Sequence, residues 1–149
     1  MNTKEKLYQL CKEIVDQRLD EISKDIEDVQ HSVNTETKNT TGDKHDTSRA
    51  MMQLEVEQKS KHLVESMKLK ETLGRFSPKT SSTTAGLGSI VETSTAKYFI
   101  SVSVGKLVID EGMYFAISTA SPIGELLMGK KAGDEFEFNG QKMKIVSVK

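Results

Sequence analysis

A repeat of apolar residues every three or four positions runs through the first quarter of the chain. From residue 15 onward the spacings are 4, 3, 4, 3 and 4, formed by Val15, Leu19, Ile22, Ile26, Val29 and Val33. A period of 3.5 residues is typical of the narrow seam of a coiled coil. Upstream, Leu7, Cys11 and Ile14 continue the stripe one residue out of phase. The pattern predicts a long helix with a local adjustment near Ile14, and it predicts that Cys11 is a small core residue.

A second segment, from about Ser48 to Leu73, has no glycine or proline before Gly74 and can supply a facing seam. Four of its apolar residues, Met52, Val56, Leu63 and Met67, follow one another at spacings of 4, 7 and 4. Residues 34–46 between the two segments contain no apolar residue and include Gly42, a helix breaker. These features predict two long antiparallel helices joined by a polar tip at about 34–47. The open alternative is a dimeric coiled coil built from either helix.

The pattern changes to alternation in the second half of the chain. Apolar residues occupy every second position from Tyr98 to Val104, which is the period of a strand with one buried face. Residues 113–118 are a further strand candidate, and Asn139-Gly140 between two apolar runs is a strong hairpin signal. Only 123–128 looks helical here. We therefore predict an α+β protein: an antiparallel coiled-coil hairpin at 1–75, a linker at 76–87, and a small antiparallel β domain with one short helix at 88–149.

Composition narrows the classes of function. The chain of 149 residues carries 21 Lys and Arg against 22 Asp and Glu, so it lacks the positive field of a stand-alone nucleic-acid binder. One cysteine excludes an internal disulfide and a cysteine-built zinc site. No apolar run reaches membrane-spanning length, and the first residues lack the apolar core of a signal peptide. We expect a cytoplasmic protein that does not bind a membrane, and the intramolecular hairpin predicts a monomer.

One segment carries a family resemblance. Residues 121–134, with the sequence SPIGELLMGKKAGD, look like the signature of the Gre transcript-cleavage factors, which opens with Ser-Pro and ends with Gly-Lys-Lys-x-Gly-Asp. Gly88-Ser89-Ile90-Val91 resembles the Gly-Ser-x-Val opening of the same domain. The resemblance extends to the end of the chain and implies an FKBP-like fold that binds RNA polymerase. It implies that Ser121, Pro122 and Ile123 form the polymerase-binding loop, with an exposed apolar side chain beside a rigid proline.

The polar tip resembles the family in part. Gre factors carry Gly-Asp-x-x-Glu followed by Asn-Ala-Glu-Tyr, whereas this chain has Gly-Asp-Lys-His-Asp at 42–46 followed by Thr-Ser-Arg-Ala. The resemblance implies that Asp43 and Asp46 are the catalytic residues of RNA cleavage, acting on a Mg²⁺ ion that they share with the polymerase. A local alternative stays open. Asp43 follows a glycine in a turn, and Asp46 is a suitable N-cap for the second helix.

Three functions follow from these features. The first is a transcription elongation factor that inserts its coiled coil into the secondary channel of RNA polymerase and stimulates cleavage of backtracked RNA. Such a factor is not an enzyme on its own, and it reaches nucleic acid only through the polymerase. The second is a Gre-like regulator that enters the same channel and modulates or inhibits the polymerase without cleavage. The third is an FKBP-like binding module, which the low aromatic content of 5% disfavours.

Overall fold

The computed structural model describes the backbone of residues 1–39 and 43–149 and the side chains of 1–32 and 48–149. Three helices span α1 (Thr3–Asn39), α2 (Asp43–Leu73) and α3 (Pro122–Leu127). The strands are β1 (Ile90–Thr93), β2 (Lys97–Ile100), β3 (Gly105–Ile109), β4 (Gly112–Ile117), β5 (Glu135–Phe138) and β6 (Gln141–Val148). The predicted α+β class is confirmed. None of the helices described is long and apolar enough to cross a membrane.

Contacts divide the chain into two compact units. One holds residues 15–70, and the other holds residues 1–14 together with 71–149. The first turns of α1 and the last turn of α2 therefore belong to the unit that contains the sheet. This division differs from the boundaries at residues 75 and 87 that composition suggests.

In the unit of residues 15–70, α1 turns the described part of the predicted seam inward. Among residues 17–32, only Leu19, Ile22, Ile26 and Val29 are half-buried and the rest are exposed, while Val15 just before them is completely buried. The last seam residue, Val33, lies outside the described side chains. The seam continues upstream through Cys11 and Leu7, which are also completely buried. Leu7, Cys11, Val15 and Leu19 are each separated by four residues, whereas spacings of 4 and 3 alternate after Leu19. This change of spacing is the adjustment of phase that the sequence predicts near Ile14.

The seam of α2 differs from the prediction at one position. Met52, Val56 and Leu63 are half-buried as expected, but Met67 is 56% exposed and Ser66 is only 6% exposed. A repeat of 3.5 residues leads from Leu63 to position 66, so geometry places the small polar serine inside and the methionine outside. The assignment of Met67 to the seam is therefore wrong.

Two ion pairs show how α1 and α2 run within this unit. Lys59 Nζ lies 3.5 Å from Asp25 Oδ2, and Lys70 Nζ lies 3.2 Å from Asp16 Oδ1. Because the residue numbers rise along one helix as they fall along the other, the helices are antiparallel, as predicted. Exposed ion pairs of this kind contribute about 1 kcal/mol or less each, so apolar burial contributes most of the stability of the pair.

The helices also extend further than expected into the polar segment between them. The region 34–46 was expected to be a non-helical tip, but α1 continues to Asn39 and α2 begins at Asp43. Residues 40–42 lie outside the described structure. The extra helical turns carry threonines and asparagines, whose weak helix preference amounts to less than about 1 kcal/mol per residue and is easily overridden by continuation of a long helix.

The second unit is built on one sheet. Its described strands have the order β3-β4-β2-β1-β6-β5. Neighbouring strands are antiparallel except β2 and β4, which are parallel, with Tyr98 beside Phe115. The chain leaves β2, reaches the sheet edge as β3 and returns as β4 into the gap beside β2. The predicted hairpin at Asn139-Gly140 is confirmed, since both residues have positive φ, 53° and 76°, as a type I′ turn needs.

The start of α1 packs on one face of this sheet. Cys11 Sγ lies 3.8 Å from Ser101 Oγ, and a chain of edge-to-face aromatic rings links Tyr8 to Phe76 and Phe76 to Phe99. Phe76 belongs to the segment that composition predicts to be a linker. That segment contains no helix or strand, but the ring of Phe76 lies between Tyr8 of α1 and Phe99 of the sheet.

A buried lysine ties α1 to two other segments of the same unit. Lys4 is only 8% exposed, and its Nζ donates to the backbone carbonyl oxygens of Thr80 at 2.9 Å and Lys149 at 3.0 Å. Burial lowers the pKa of this amine. The two carbonyl partners offset the cost of removing the ammonium group from water.

Candidate functional site

The segment with the family resemblance begins with a capped helix. Ser121 Oγ accepts a hydrogen bond from the Gly124 amide at 3.1 Å and donates one to the Ser118 carbonyl oxygen at 2.7 Å. Pro122 occupies the first helical turn, where the missing N–H costs nothing and the restricted φ suits the helix. The Ser-Pro pair therefore gives α3 a rigid start.

Gly124 makes this start possible. A Cβ atom at this position would lie 2.0 Å from the Ser118 carbonyl oxygen and 2.8 Å from Ser121 Oγ. The loop before α3 therefore crosses its first turn so closely that only glycine fits. Gly124 was not among the residues predicted to matter, although a glycine two residues after a helix-starting proline is a recognisable signal in the sequence.

The end of the segment is equally well defined. The Met128 amide donates to the Gly124 carbonyl oxygen at 3.1 Å, and Gly129 follows with a φ of 80°. The Lys131 amide then donates to Asp134 Oδ2 at 2.9 Å, while the Asp134 amide donates to the Lys131 carbonyl oxygen at 3.0 Å. This reciprocal pair closes the Lys-Ala-Gly-Asp turn. Many residues of the motif therefore act by fixing the backbone of α3 and of the turn that follows it.

The predicted linker is joined to this turn. The Ala85 amide donates to the Lys130 carbonyl oxygen at 2.7 Å, and the Gly129 amide donates to the Ala85 carbonyl oxygen at 2.8 Å. Thr84 forms an isolated antiparallel bridge with Lys131. The turn after α3 is therefore attached on one side to residues 84–85 and closed on the other by Asp134.

The expectation that Ile123 is the exposed apolar side chain of the loop is wrong. Ile123 is only 8% exposed and packs in one core with Leu127, four positions later on the same helix face, and with Phe136 and Ile145 of the sheet. Ser121 is half-buried because its hydroxyl caps the helix. The exposed surface of this segment consists of Pro122, Glu125, Met128, Gly129, Lys131, Ala132 and Gly133.

We predict that Ser121→Ala lowers the free energy of unfolding by about 1–2 kcal/mol, the usual cost of losing a serine N-cap. The substitution removes both the bond from the Gly124 amide and the bond to the Ser118 carbonyl. Urea unfolding followed by circular dichroism measures the change. Thr119→Ala is the control, because the Thr119 hydroxyl makes no hydrogen bond in the described structure. Equal stability of both variants would contradict the capping role.

The other candidate residues lie near the start of α2. Asp43 and Asp46 are three positions apart in its first turn, so their backbone positions lie on the same side of the helix. Because α2 begins at Asp43, the alternative that Asp46 is the N-cap of a helix starting near Ser48 is wrong. Their side chains lie outside the described residues, so the catalytic and metal-binding roles stay predictions.

Side chains capable of binding metal are scattered over the described part of the chain. Within residues 1–32 and 48–149, His, Cys, Asp and Glu form no group of three or more that could hold an ion. The carboxylates at positions 43 and 46 are hard oxygen donors, the type that Mg²⁺ prefers, and two of them leave most of its shell to other ligands.

The comparisons with known proteins give little beyond these observations. No protein-family model matches the sequence, and no curated protein matches it either. Among solved structures, the chain is similar to the transcription factor Gfh1, with 19% sequence identity and a TM-score of 0.34 over 91% of each chain. A similarity this loose carries no argument about function.

Proposed function

We propose that this protein is an RNA polymerase-binding transcription elongation factor of the Gre type. One observation carries the proposal: the Gre-like segment 121–134 forms a rigid capped helix and turn on a sheet unit, and two long antiparallel helices precede that sheet in the chain. A motif that resembles a docking signature and folds into a stiff, partly exposed feature is suited to protein recognition, because little conformational entropy is lost on binding.

In this proposal Pro122 is the side chain of the docking loop that contacts the polymerase. Pro122 is exposed, whereas Ser121 is half-buried and Ile123 is buried. Ser121 and Ile123 therefore act by positioning Pro122. Met128, which is 39% exposed, and Lys131 extend the exposed surface along the same segment.

The proposed role of the helical pair is to enter the secondary channel of the polymerase and bring Asp43 and Asp46 to its active site. There Asp43 and Asp46 would be ligands of a Mg²⁺ ion shared with the polymerase, and their carboxylates would orient the attacking water. When bound, the ion would supply Lewis-acid activation. The protein is then an activator of RNA cleavage by the polymerase and has no activity alone.

A second candidate is a regulator that enters the same channel without stimulating cleavage. The observation that favours it is the sequence after Asp46, where Thr-Ser-Arg-Ala replaces the Asn-Ala-Glu-Tyr of Gre factors. Asp46 is also one methylene shorter than the family glutamate, which reduces its reach. In this case the helices block the channel and reduce polymerase activity.

A cleavage assay separates the two candidates. An elongation complex of the cognate polymerase is stalled in a backtracked state and incubated with Mg²⁺ and the protein. We expect prompt shortening of the RNA 3′ end, and we expect Asp43→Ala and Asp46→Ala each to slow it about 100-fold or more, because each removes a ligand worth several kcal/mol in the transition state.

His45→Ala is the matched control, since it alters the same turn without removing a carboxylate, and it should cleave like the wild type. Binding to the polymerase without RNA shortening would reject the first candidate and support the second. Absence of binding would reject both.

A further inference from the structure

Strand β3 forms one edge of the sheet. In the described part of the chain, no strand and no isolated bridge pairs with its outer side. Such an edge presents backbone N–H and C=O groups that another strand can bind. Val108 on β3 is 66% exposed, and its cross-strand neighbour Met113 on β4 is 41% exposed. The edge therefore offers both hydrogen-bonding groups and an apolar pair.

The charges along this edge are self-complementary. The sequence from 106 to 110 is Lys-Leu-Val-Ile-Asp. If two copies of β3 pair antiparallel about Val108, Val108 lies opposite Val108, and Lys106 of each copy lies opposite Asp110 of the other, the residue that directly follows the strand. Lys106, Val108 and Asp110 are all exposed. Opposite charges that face each other across strands are favourable, and here symmetry produces the favourable pair twice.

The other edge of the sheet disfavours the same arrangement. Strand β5 has the sequence Glu-Phe-Glu-Phe, and Glu135 and Glu137 are both exposed. Antiparallel pairing of two β5 strands that keeps these side chains on one face sets acid against acid, which is destabilising. The charge pattern therefore distinguishes the two edges and selects β3 for self-pairing.

A shallow groove lies beside the β3 edge, within the same compact unit. It has a volume of about 300 Å³ and has a mixed lining: Met1, Leu10, Val108 and Ile109 are apolar, and Lys6, Gln9, Glu13 and Asp110 are polar or charged. A second copy of the strand placed along this edge covers the apolar part of this lining, which adds burial to the ladder hydrogen bonds.

We propose that two copies of this chain associate through antiparallel pairing of their β3 edges to form a twofold-symmetric dimer. The proposed surface belongs to the sheet unit and includes no residue of 15–70. The ladder is short, and two cross-strand ion pairs contribute little each, so the association is weak and appears at high protein concentration.

Sedimentation equilibrium over a wide range of concentrations, up to the millimolar range, tests the proposal. The wild type should approach the mass of a dimer and stop there. Lys106→Glu leaves acidic side chains at both 106 and 110, and Asp110→Lys leaves basic side chains at both positions. Each variant alone should therefore self-associate at least about tenfold more weakly than the wild type. Lys79→Glu, an equal charge change at an exposed position away from the edge, should behave like the wild type.

Mixing the two edge variants provides the decisive comparison. Glu at position 106 of one copy then faces Lys at position 110 of the other, so the mixture should form a heterodimer although neither variant dimerises alone. A folding defect cannot produce this rescue. The proposal is overturned by a wild type that stays monomeric at all concentrations, by a dimer that ignores these substitutions, or by growth beyond the dimer.

Discussion

Gly124→Ala should lower the free energy of unfolding by about 3 kcal/mol or more, one of the largest effects expected of any single methyl group added to this protein. The added Cβ would lie 2.0 Å from the carbonyl oxygen of Ser118. That oxygen belongs to the backbone and accepts the hydrogen bond from Ser121 Oγ, so it cannot move without breaking the cap of α3. Urea unfolding at neutral pH measures the change.

Gly86→Ala is the matched control for this prediction. An added Cβ at Gly86 meets no atom within 4 Å, so this variant should unfold close to the wild type. If both alanine variants unfold at the same urea concentration, the loop does not cross α3 as tightly as described. The rigidity of the proposed docking segment would then lose its main support.

The second large effect is a loss of stability at alkaline pH that depends on Cys11. Burial raises the pKa of this thiol from 9.0 to about 11. Between these values the unfolded chain releases the thiol proton while the folded chain retains it, so the folded state binds more protons and stability falls as the pH rises. A shift of two pKa units corresponds to roughly 2–3 kcal/mol in the free energy of unfolding, and most of this stabilisation is lost by about pH 11.

The measurement is the free energy of unfolding at several pH values from 8 to about 11, for the wild type and for Cys11→Ala. Cys11→Ala should be less stable at pH 8 because it loses buried volume, but its stability should change less with pH. Lys4 acts in the opposite direction to Cys11. Because burial lowers the pKa of its amine, its contribution to the free energy of unfolding rises as the pH rises towards 10.5. Lys4 is present in both proteins and cancels in the comparison. Parallel pH profiles would contradict the role of Cys11.

The helical pair was largely predictable because a helix is encoded by residues that are close together in the sequence. A repeat of 3.5 residues is visible in the sequence of α1, and among its described positions Val15 is buried and Leu19, Ile22, Ile26 and Val29 are half-buried. The error at Met67 has a physical cause: the inner positions of α2 include Lys59 and Ser66, which are polar residues that a search for apolar spacing passes over. Lys59 is accommodated because its long side chain reaches Asp25 with its amine.

The candidate site was predictable only where its structure is local. Ser121 and Pro122 are recognisable as a helix start from their types and order. The need for glycine at 124 depends on the Ser118 carbonyl, and the burial of Ile123 depends on strands β5 and β6, which lie further along the chain. The parallel pairing of β2 with β4 was not predicted for a similar reason, since alternation identifies a strand but does not identify its neighbour.

In the proposed function, the protein binds RNA polymerase through the exposed part of the segment 121–134. Equilibrium binding to the cognate core polymerase by the wild type, by Pro122→Glu and by Lys79→Glu tests this interaction. A glutamate is well tolerated in the first turn of a helix, so Pro122→Glu changes the surface and preserves α3. We predict saturable binding of one protein per polymerase, unchanged in Lys79→Glu and weakened about tenfold or more in Pro122→Glu. Absence of saturable binding by the wild type would contradict the account.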